Sequence, residues 1–196
     1  MAQLVLTSDT LAGTPATGTL EYNGQFYGTD SAAARAQMQR ITQSTAVAST
    51  SGTSIDFTSI PAWVKRITVM FAGVSTNGTS NPQVQLGAGS LTTSGYTGYN
   101  ARQAAASNAY VANSAGFILG GSVTAAISLT GRLVITLISG NTWICSGITT
   151  NAIATGDSCT IAGAIALGGT LDRIRITTVN GTDTFDAGSV NILYEG

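Results

Sequence analysis

Apolar and polar residues alternate with a period of two along most of the chain beyond Ile55. The run WVKRITVMF shows it. Val64, Arg66, Thr68 and Met70 fall on one side of an extended strand, and Lys65, Ile67, Val69 and Phe71 on the other. Similar runs cover residues 83–86, 110–119, 122–129, 132–138, 142–147, 158–166, 172–179 and 189–194. Turn-forming stretches separate nearly all of them: GVSTNGTSNP, LGG, TGR, ISGNT, ATGD, LGGT and VNGTD. Short strands at this spacing predict an all-β fold, an antiparallel β-sandwich of jelly-roll-like kind, with a closed antiparallel barrel as the alternative. No strand-like run leads into a ten-residue helical pattern, which disfavours βαβ units.

The last two runs alternate most cleanly. Ile174, Ile176 and Thr178 oppose Arg173, Arg175 and Thr177, and Val190, Ile192 and Tyr194 oppose Asn191 and Leu193. The stretch NGTDTFDAGSV between them is expected to connect a terminal hairpin. Asn180-Gly181 starts the reversal and Gly188 releases the chain into the last strand. Phe185 is too apolar for water and is expected to fold back over the end of the core or onto a neighbouring subunit.

The first 54 residues read differently. They read as an arm of short extended pieces and linker, with residues 55–196 as the distal domain. LVL at residues 4–6 is a short extended piece. Leu20 to Tyr27 is a small hairpin with Asn23-Gly24 at its turn. SAAARAQMQR, from Ser31 to Arg40, is the one plausible short helix, capped by Ser31. Residues 42–54 are an extended linker or a weak edge strand. Ala101 to Ala109 is one helical turn or a loop.

Composition narrows the function. Charged residues are 9% of the 196, against about 25% in ordinary soluble domains. Ser, Thr, Asn, Gln and Gly must cover the surface, which suits oligomer, glycan or large-assembly contacts. The formal net charge is -1 and no basic run exists, so nucleic-acid binding is not expected. No apolar run approaches the roughly 18 residues of a spanning helix, so membrane insertion is not expected either.

The chain has no histidine, the usual general base and zinc ligand. A Ser–Lys pair would need Lys65, which sits in a strand with no serine at helical spacing. GAGS at residues 87–90 lacks the ending of a phosphate loop and reads as a connection between strands. Nothing in the spacing of Asp56, Asp157, Asp172, Asp183, Asp186 and Glu195 pairs two carboxylates for glycoside hydrolysis. The expectation is therefore a protein with no cofactor and no catalytic residues. Asp183 and Asp186 are weak metal candidates for calcium; the competing reading has them accept nearby N–H groups, as Asx turns do. Cys145 and Cys159 lie in apolar runs and are expected as buried free thiols, with a disulfide as the alternative. Trp63 and Trp143 are expected to anchor the core from strands.

The richest binding candidate is LTTSGYTGYNARQAAASNAY. Tyr96, Tyr99, Asn100, Arg102 and Tyr110, with Gln103 and Asn108 nearby, combine aromatic faces and polar groups as glycan recognition does. The competing reading packs these tyrosines at a subunit interface or the end of the core.

Three segments carry a resemblance. Gly18 to Tyr22, Asn23-Gly24 and Phe26-Tyr27 resemble a short module found ahead of distal domains in tailed-bacteriophage virion proteins. These are proteins of the tail-fibre, head-fibre or receptor-binding kind. Arg35 is followed by Ala36 where that pattern has glycine. IPAWVKRITVMFAGVSTNG resembles the first strand of phage β-sandwich domains. LDRIRITTVNGTDTFDAGSVNILYEG resembles their closing hairpin, with Phe185 to Gly188 matching an FDAG turn ahead of the last strand.

The resemblance implies a non-enzymatic virion protein, a homo-oligomer and by expectation a homotrimer. It implies an attachment or oligomerisation arm over residues 1–54 that contacts other virion proteins, and assembly in the reducing host cytoplasm. The distal domain would bind host-surface carbohydrate. The alternatives are a structural capsid or tail decoration or spacer without a ligand, and a polysaccharide depolymerase.

Overall fold

The structure is a computed structural model that describes residues 11, 13–14, 16–23, 25–32, 34–104, 108–121, 123–152 and 157–196. The chain divides into two compact units, residues 1–40 and 41–196.

In the first unit, β1 (Leu20–Tyr22), β2 (Phe26–Thr29) and β3 (Arg35–Gln37) form an antiparallel sheet in that order. The expected hairpin is present, with Leu20 paired to Gly28 and Tyr22 to Phe26. The rings of Tyr22 and Phe26 meet at 4.9 Å. Gly24 of the expected turn lies outside the described residues, as does the expected extended piece at residues 4–6.

The helix expected over Ser31 to Arg40 is overturned among the described residues. Arg35–Gln37 pairs with β2 instead. The run carries no apolar stripe to bury, and ten residues are marginal as an isolated helix. Strand pairing satisfies the same backbone groups, and Arg35 Nε reaches Glu21 Oε2 of β1 at 2.6 Å. Asp30 Oδ1 accepts the N–H groups of Ala32 and Ala34 at 2.9 Å each, closing the turn that leads into β3.

The second unit contains β4 (Ile41–Gln43), β5 (Val47–Ala48), β6 (Ser54–Thr58), β7 (Arg66–Thr76), β8 (Pro82–Ala88), β9 (Ser90–Leu91) and β10 (Thr97–Gln103). It continues with β11 (Asn108–Asn113), β12 (Phe117–Ile118), β13 (Ser128–Ser139), β14 (Thr142–Ala152), β15 (Asp157–Ala166), β16 (Arg173–Thr178) and β17 (Phe185–Glu195). A large antiparallel sheet has the order β11-β10-β15-β14-β13-β7-β17-β4, with β5 also on β17. A smaller one has the order β12-β8-β16-β6, with β9 on β8. The fold is all-β, built from several antiparallel sheets.

Period-two alternation sets which side chains are buried. Ile67, Val69 and Phe71 of β7, Leu133 and Ile135 of β13, and Val190 and Ile192 of β17 turn inward from the large sheet. Ile55, Phe57, Val84, Leu86, Ile174 and Ile176 of the small sheet join them in one buried cluster. Each such side chain contributes about 1.5–3 kcal/mol through removal from water.

Several expectations change. The last two strands are not a hairpin. β16 lies between β8 and β6 in the small sheet, whereas β17 lies between β7 and β4 in the large one. Alternation reports which side chains face inward but not which strand is the neighbour, so two consecutive strands of opposite sheets look like a hairpin. The run at 110–119 splits into β11 and β12, which also belong to different sheets. Of the run at 122–129, Ser122 lies outside the described residues and the strand begins only at Ser128. Residues 41–43 and 47–48 are the edge-strand alternative to a linker, pairing with β17. Ala101 to Gln103 continue β10, and Asn108 and Ala109 begin β11; residues 105–107 lie outside the described residues. Trp143 is a buried strand residue as expected, but Trp63 sits in a turn before β7, its ring 5.8 Å from Tyr194.

Candidate functional site

β10 and β11 carry the candidate residues and pair along their length, Gly98 to Asn113 through Gln103 to Asn108. Alternation then sorts the side chains. Tyr99, Ala101 and Gln103 share a face with Asn108, Tyr110 and Ala112. Asn100 and Arg102 point the other way.

The outward face holds an aromatic pair. Tyr99 stands opposite Ala112 and Ala162, and Tyr110 opposite Ala101, so the tyrosines are diagonal neighbours across the strand pair. Tyr99 is 63% exposed and Tyr110 80%. Gln103 and Asn108 face each other at the next position along and are also exposed. The rings therefore stand above short alanine side chains with two amides beside them and no charged group among these residues. Such a surface offers apolar ring faces and amide donors and acceptors, as a carbohydrate requires.

Tyr96, Asn100 and Arg102 do not join it. Tyr96 is buried just before β10, edge-on to Phe117 with ring centroids 5.0 Å apart. Its hydroxyl accepts the Leu86 N–H at 2.7 Å and donates to the Thr92 carbonyl at 3.1 Å. Burial pushes that hydroxyl up to about 12. Asn100 is buried, donating through Nδ2 to the Ile118 carbonyl at 3.4 Å. Arg102 Nε and Nη2 both donate to Asp157 Oδ2, at 2.8 and 2.5 Å. Tyr96 thus takes the packing role, and the other two are internal polar contacts. Reading Thr97 to Gln103 as a strand would have separated Tyr99 from Asn100 and Arg102. Its glycine, asparagine and arginine disguise the period.

The six carboxylates of residues 41–196 are all engaged. Arg175 holds Asp56 bidentately at 2.7 Å each, Arg102 holds Asp157, and Arg173 holds Asp172 at 2.8 Å. Arg66 binds Glu195, and the Ser75 hydroxyl binds Asp186. An open cleft of about 260 Å³ is lined by Ser44, Thr45, Val47, Asp56 and Tyr194 among others, its one carboxylate being the Asp56 that Arg175 holds.

Asp183 ties two loops together. Its Oδ1 accepts Asn180 Nδ2 at 2.6 Å and its Oδ2 accepts the Ser80 N–H at 2.8 Å. These donors hold its carboxyl below the usual range. Both oxygens face N–H donors, but the Asx turn here belongs to Asn180, whose Oδ1 accepts the Thr182 and Asp183 N–H groups at 3.0 and 3.2 Å. Among the described residues no cluster of three acidic, cysteine or histidine side chains forms. Gly78 makes room for this carboxylate: a Cβ there would lie 2.1 Å from Oδ2.

Gly78→Ala is expected to displace the Asp183 carboxylate and return its pKa toward the ordinary value. A depressed carboxyl contributes stability above the unfolded-state value, lost as pH falls through the folded one. The variant should therefore show a smaller loss of melting temperature on acidification. Carbon-detected NMR titration of Asp183 checks this; an unchanged pKa refutes it.

Cys145 and Cys159 are free and buried, as expected. Burial pushes the Cys145 thiol up to about 12, which leaves it unreactive at neutral pH. No helix of the described residues is long and apolar enough to cross a membrane. No protein-family model, curated protein or solved structure matches the chain.

Proposed function

We propose that this chain is a non-enzymatic structural protein of a tailed-bacteriophage virion, a fibre or tail component that binds host-surface carbohydrate. The observation that carries the binding reading is the uncharged face of Tyr99, Tyr110, Gln103 and Asn108. The residues resembling phage virion modules, Gly18 to Tyr27 and Phe185 to Gly188, support the virion assignment. The buried cluster shared by two antiparallel sheets supports a jelly-roll-like β-sandwich for the larger unit. The N-terminal segment would join other virion proteins, and the protein would assemble in the host cytoplasm as a homo-oligomer, a trimer by the resemblance. Buried free thiols agree with a reducing compartment.

The purely structural reading, a decoration or spacer without a ligand, draws support from the inward positions of Tyr96, Asn100 and Arg102. A depolymerase would need two available carboxylates in one groove. The engagement of all six by arginines, a hydroxyl or N–H groups weighs against that reading.

A glycan array spanning host-surface polysaccharides tests the proposal. The wild type is expected to enrich on one class of polysaccharide, and Tyr99→Ala/Tyr110→Ala to lose at least about tenfold, since stacking aromatics commonly supply a large share of such binding. Equal signals would overturn the site. No enrichment by the wild type would overturn the carbohydrate reading in favour of the spacer.

A further inference from the structure

The two sheets differ on their outward faces. The small sheet presents the ion pairs of Asp56 with Arg175 and Asp172 with Arg173. The large sheet presents aliphatic side chains. Register places Ile148 beside Arg132 and Met70 in one row across β14, β13 and β7. In the next row Val134 stands between Ser146 and Thr68, and Thr68 faces Leu193 of β17. In the third, Ile144 faces Thr136. Ile144 is 42% exposed and Ile148 57%, while Met70, Val134 and Leu193 are partly buried.

An antiparallel sheet with one wet side normally alternates apolar-in and polar-out. β14 instead reads Trp143-Ile144-Cys145, apolar on both sides. Ile144, Ile148, Val134, Met70 and Leu193, set among Thr68, Thr136, Ser146 and Arg132, make this face more apolar than a solvated sheet face, as contact sites are.

We propose that a second copy of this chain covers the outward face of β14, β13, β7 and β17. Size supports it. Four strands at about 4.8 Å spacing, each about ten residues long at about 3.4 Å per residue, make a face of roughly 650 Å². Stable interfaces bury roughly 600–1,000 Å² per partner. Charge supports it as well. Arg66 and Glu195 pair at the rim. Asp186 stands at the other end of β17, bound by the Ser75 hydroxyl. Between these rims Arg132 is the single charge, and no carboxylate pairs with it among the described residues. A strongly acidic or basic partner would find no complement here. A neutral aliphatic face complements its own copy, and self-association into closed symmetric assemblies is the commonest outcome for soluble oligomers. Arginine is enriched in interfaces, where its stem packs and its fork finds carbonyls. Tyr99 and Tyr110, on β10 and β11, share this face but lie beyond β15, whose Ala162 stands between Tyr99 and Ser146, and they remain open. The inference therefore stands apart from the carbohydrate reading.

Sedimentation velocity on the full chain at tens of micromolar tests it, with circular dichroism as the check on folding. The wild type is expected to sediment as an oligomer, and Ile144→Lys/Ile148→Lys as a folded monomer. Thr170→Lys, at an exposed loop position, is expected to leave the oligomer intact. A monomeric wild type, or an unchanged oligomer in the folded double variant, overturns the proposal. A readout needing no variant is peroxide oxidation of Met70, followed by mass spectrometry above and below the dissociation concentration. At least fivefold slower oxidation in the oligomer is expected, and equal rates overturn the assignment of this face. Loss of the oligomer with array binding retained would separate this inference from the carbohydrate reading.

Discussion

Replacing Phe185 with alanine is expected to remove about 3–5 kcal/mol of folding stability, the usual cost of deleting a buried phenyl ring. The ring is 1% exposed at the start of β17 and belongs to the buried cluster. It cannot swing out cheaply, because its residue is fastened at three points. Its N–H donates to the Gly52 carbonyl at 2.8 Å, it pairs with Thr76, and the strand is bulged on both sides of Ala187. At Gly188 the φ is +92°, and a Cβ would lie 2.3 Å from the Gly73 carbonyl oxygen, so this path admits only glycine. Domains of this kind are stable by about 5–15 kcal/mol in total, so the variant should be partly unfolded under mild denaturant. Urea titration followed by tryptophan fluorescence measures it. A loss under about 1 kcal/mol would mean that the ring is not a core element.

The second large effect is expected at Arg102. Arg102→Leu leaves the Asp157 carboxylate, 3% exposed, without its counter-charge, and breaking such a pair from one side costs about 3–5 kcal/mol. Asp157 Oδ1 already has no partner among the described residues, so no second donor takes over. Arg102→Leu/Asp157→Leu is expected to recover most of the loss, because it removes the buried charge together with its partner. A double-mutant cycle in denaturant measures the coupling. A cost below about 1 kcal/mol for the single change, or additive losses in the pair, would refute the buried-pair role and return Arg102 to the ligand candidates.

Much of the second unit is legible from alternation alone. Ile67, Val69 and Phe71 are buried as their spacing says, and Phe185 is buried as its lone apolar character in a polar loop says. Pairing is less legible. Ile174 and Ile192 each face inward, but the residues give no sign that their strands join opposite sheets. That choice comes from long-range partners, Val84 and Ile55 flanking Ile176, and Val69 opposite Ile192. Local preference misleads at Ala34 to Arg40, where alanine and glutamine favour a helix but the neighbouring hairpin offers a sheet edge. At the candidate site two of the five named residues, Tyr99 and Tyr110, reach solvent. Aromatic and polar content located the segment, and only the strand parity of β10 and β11 decides which side chains stand outside.

The position of β7 has a consequence for biosynthesis. Ile67 pairs with Ile135 on one side and with Tyr194 on the other. At about 5–20 residues per second, the ribosome delivers Tyr194 roughly 6–25 s after Ile67. Throughout that interval a nascent strand carrying Ile67, Val69 and Phe71 has one hydrogen-bonding edge unmatched. Many copies made at once on neighbouring ribosomes could pair there wrongly, and pairing this distant in sequence is intrinsically slow. Holdase chaperones bound to the emerging chain should therefore raise the yield of correctly folded protein more than a lower growth temperature alone.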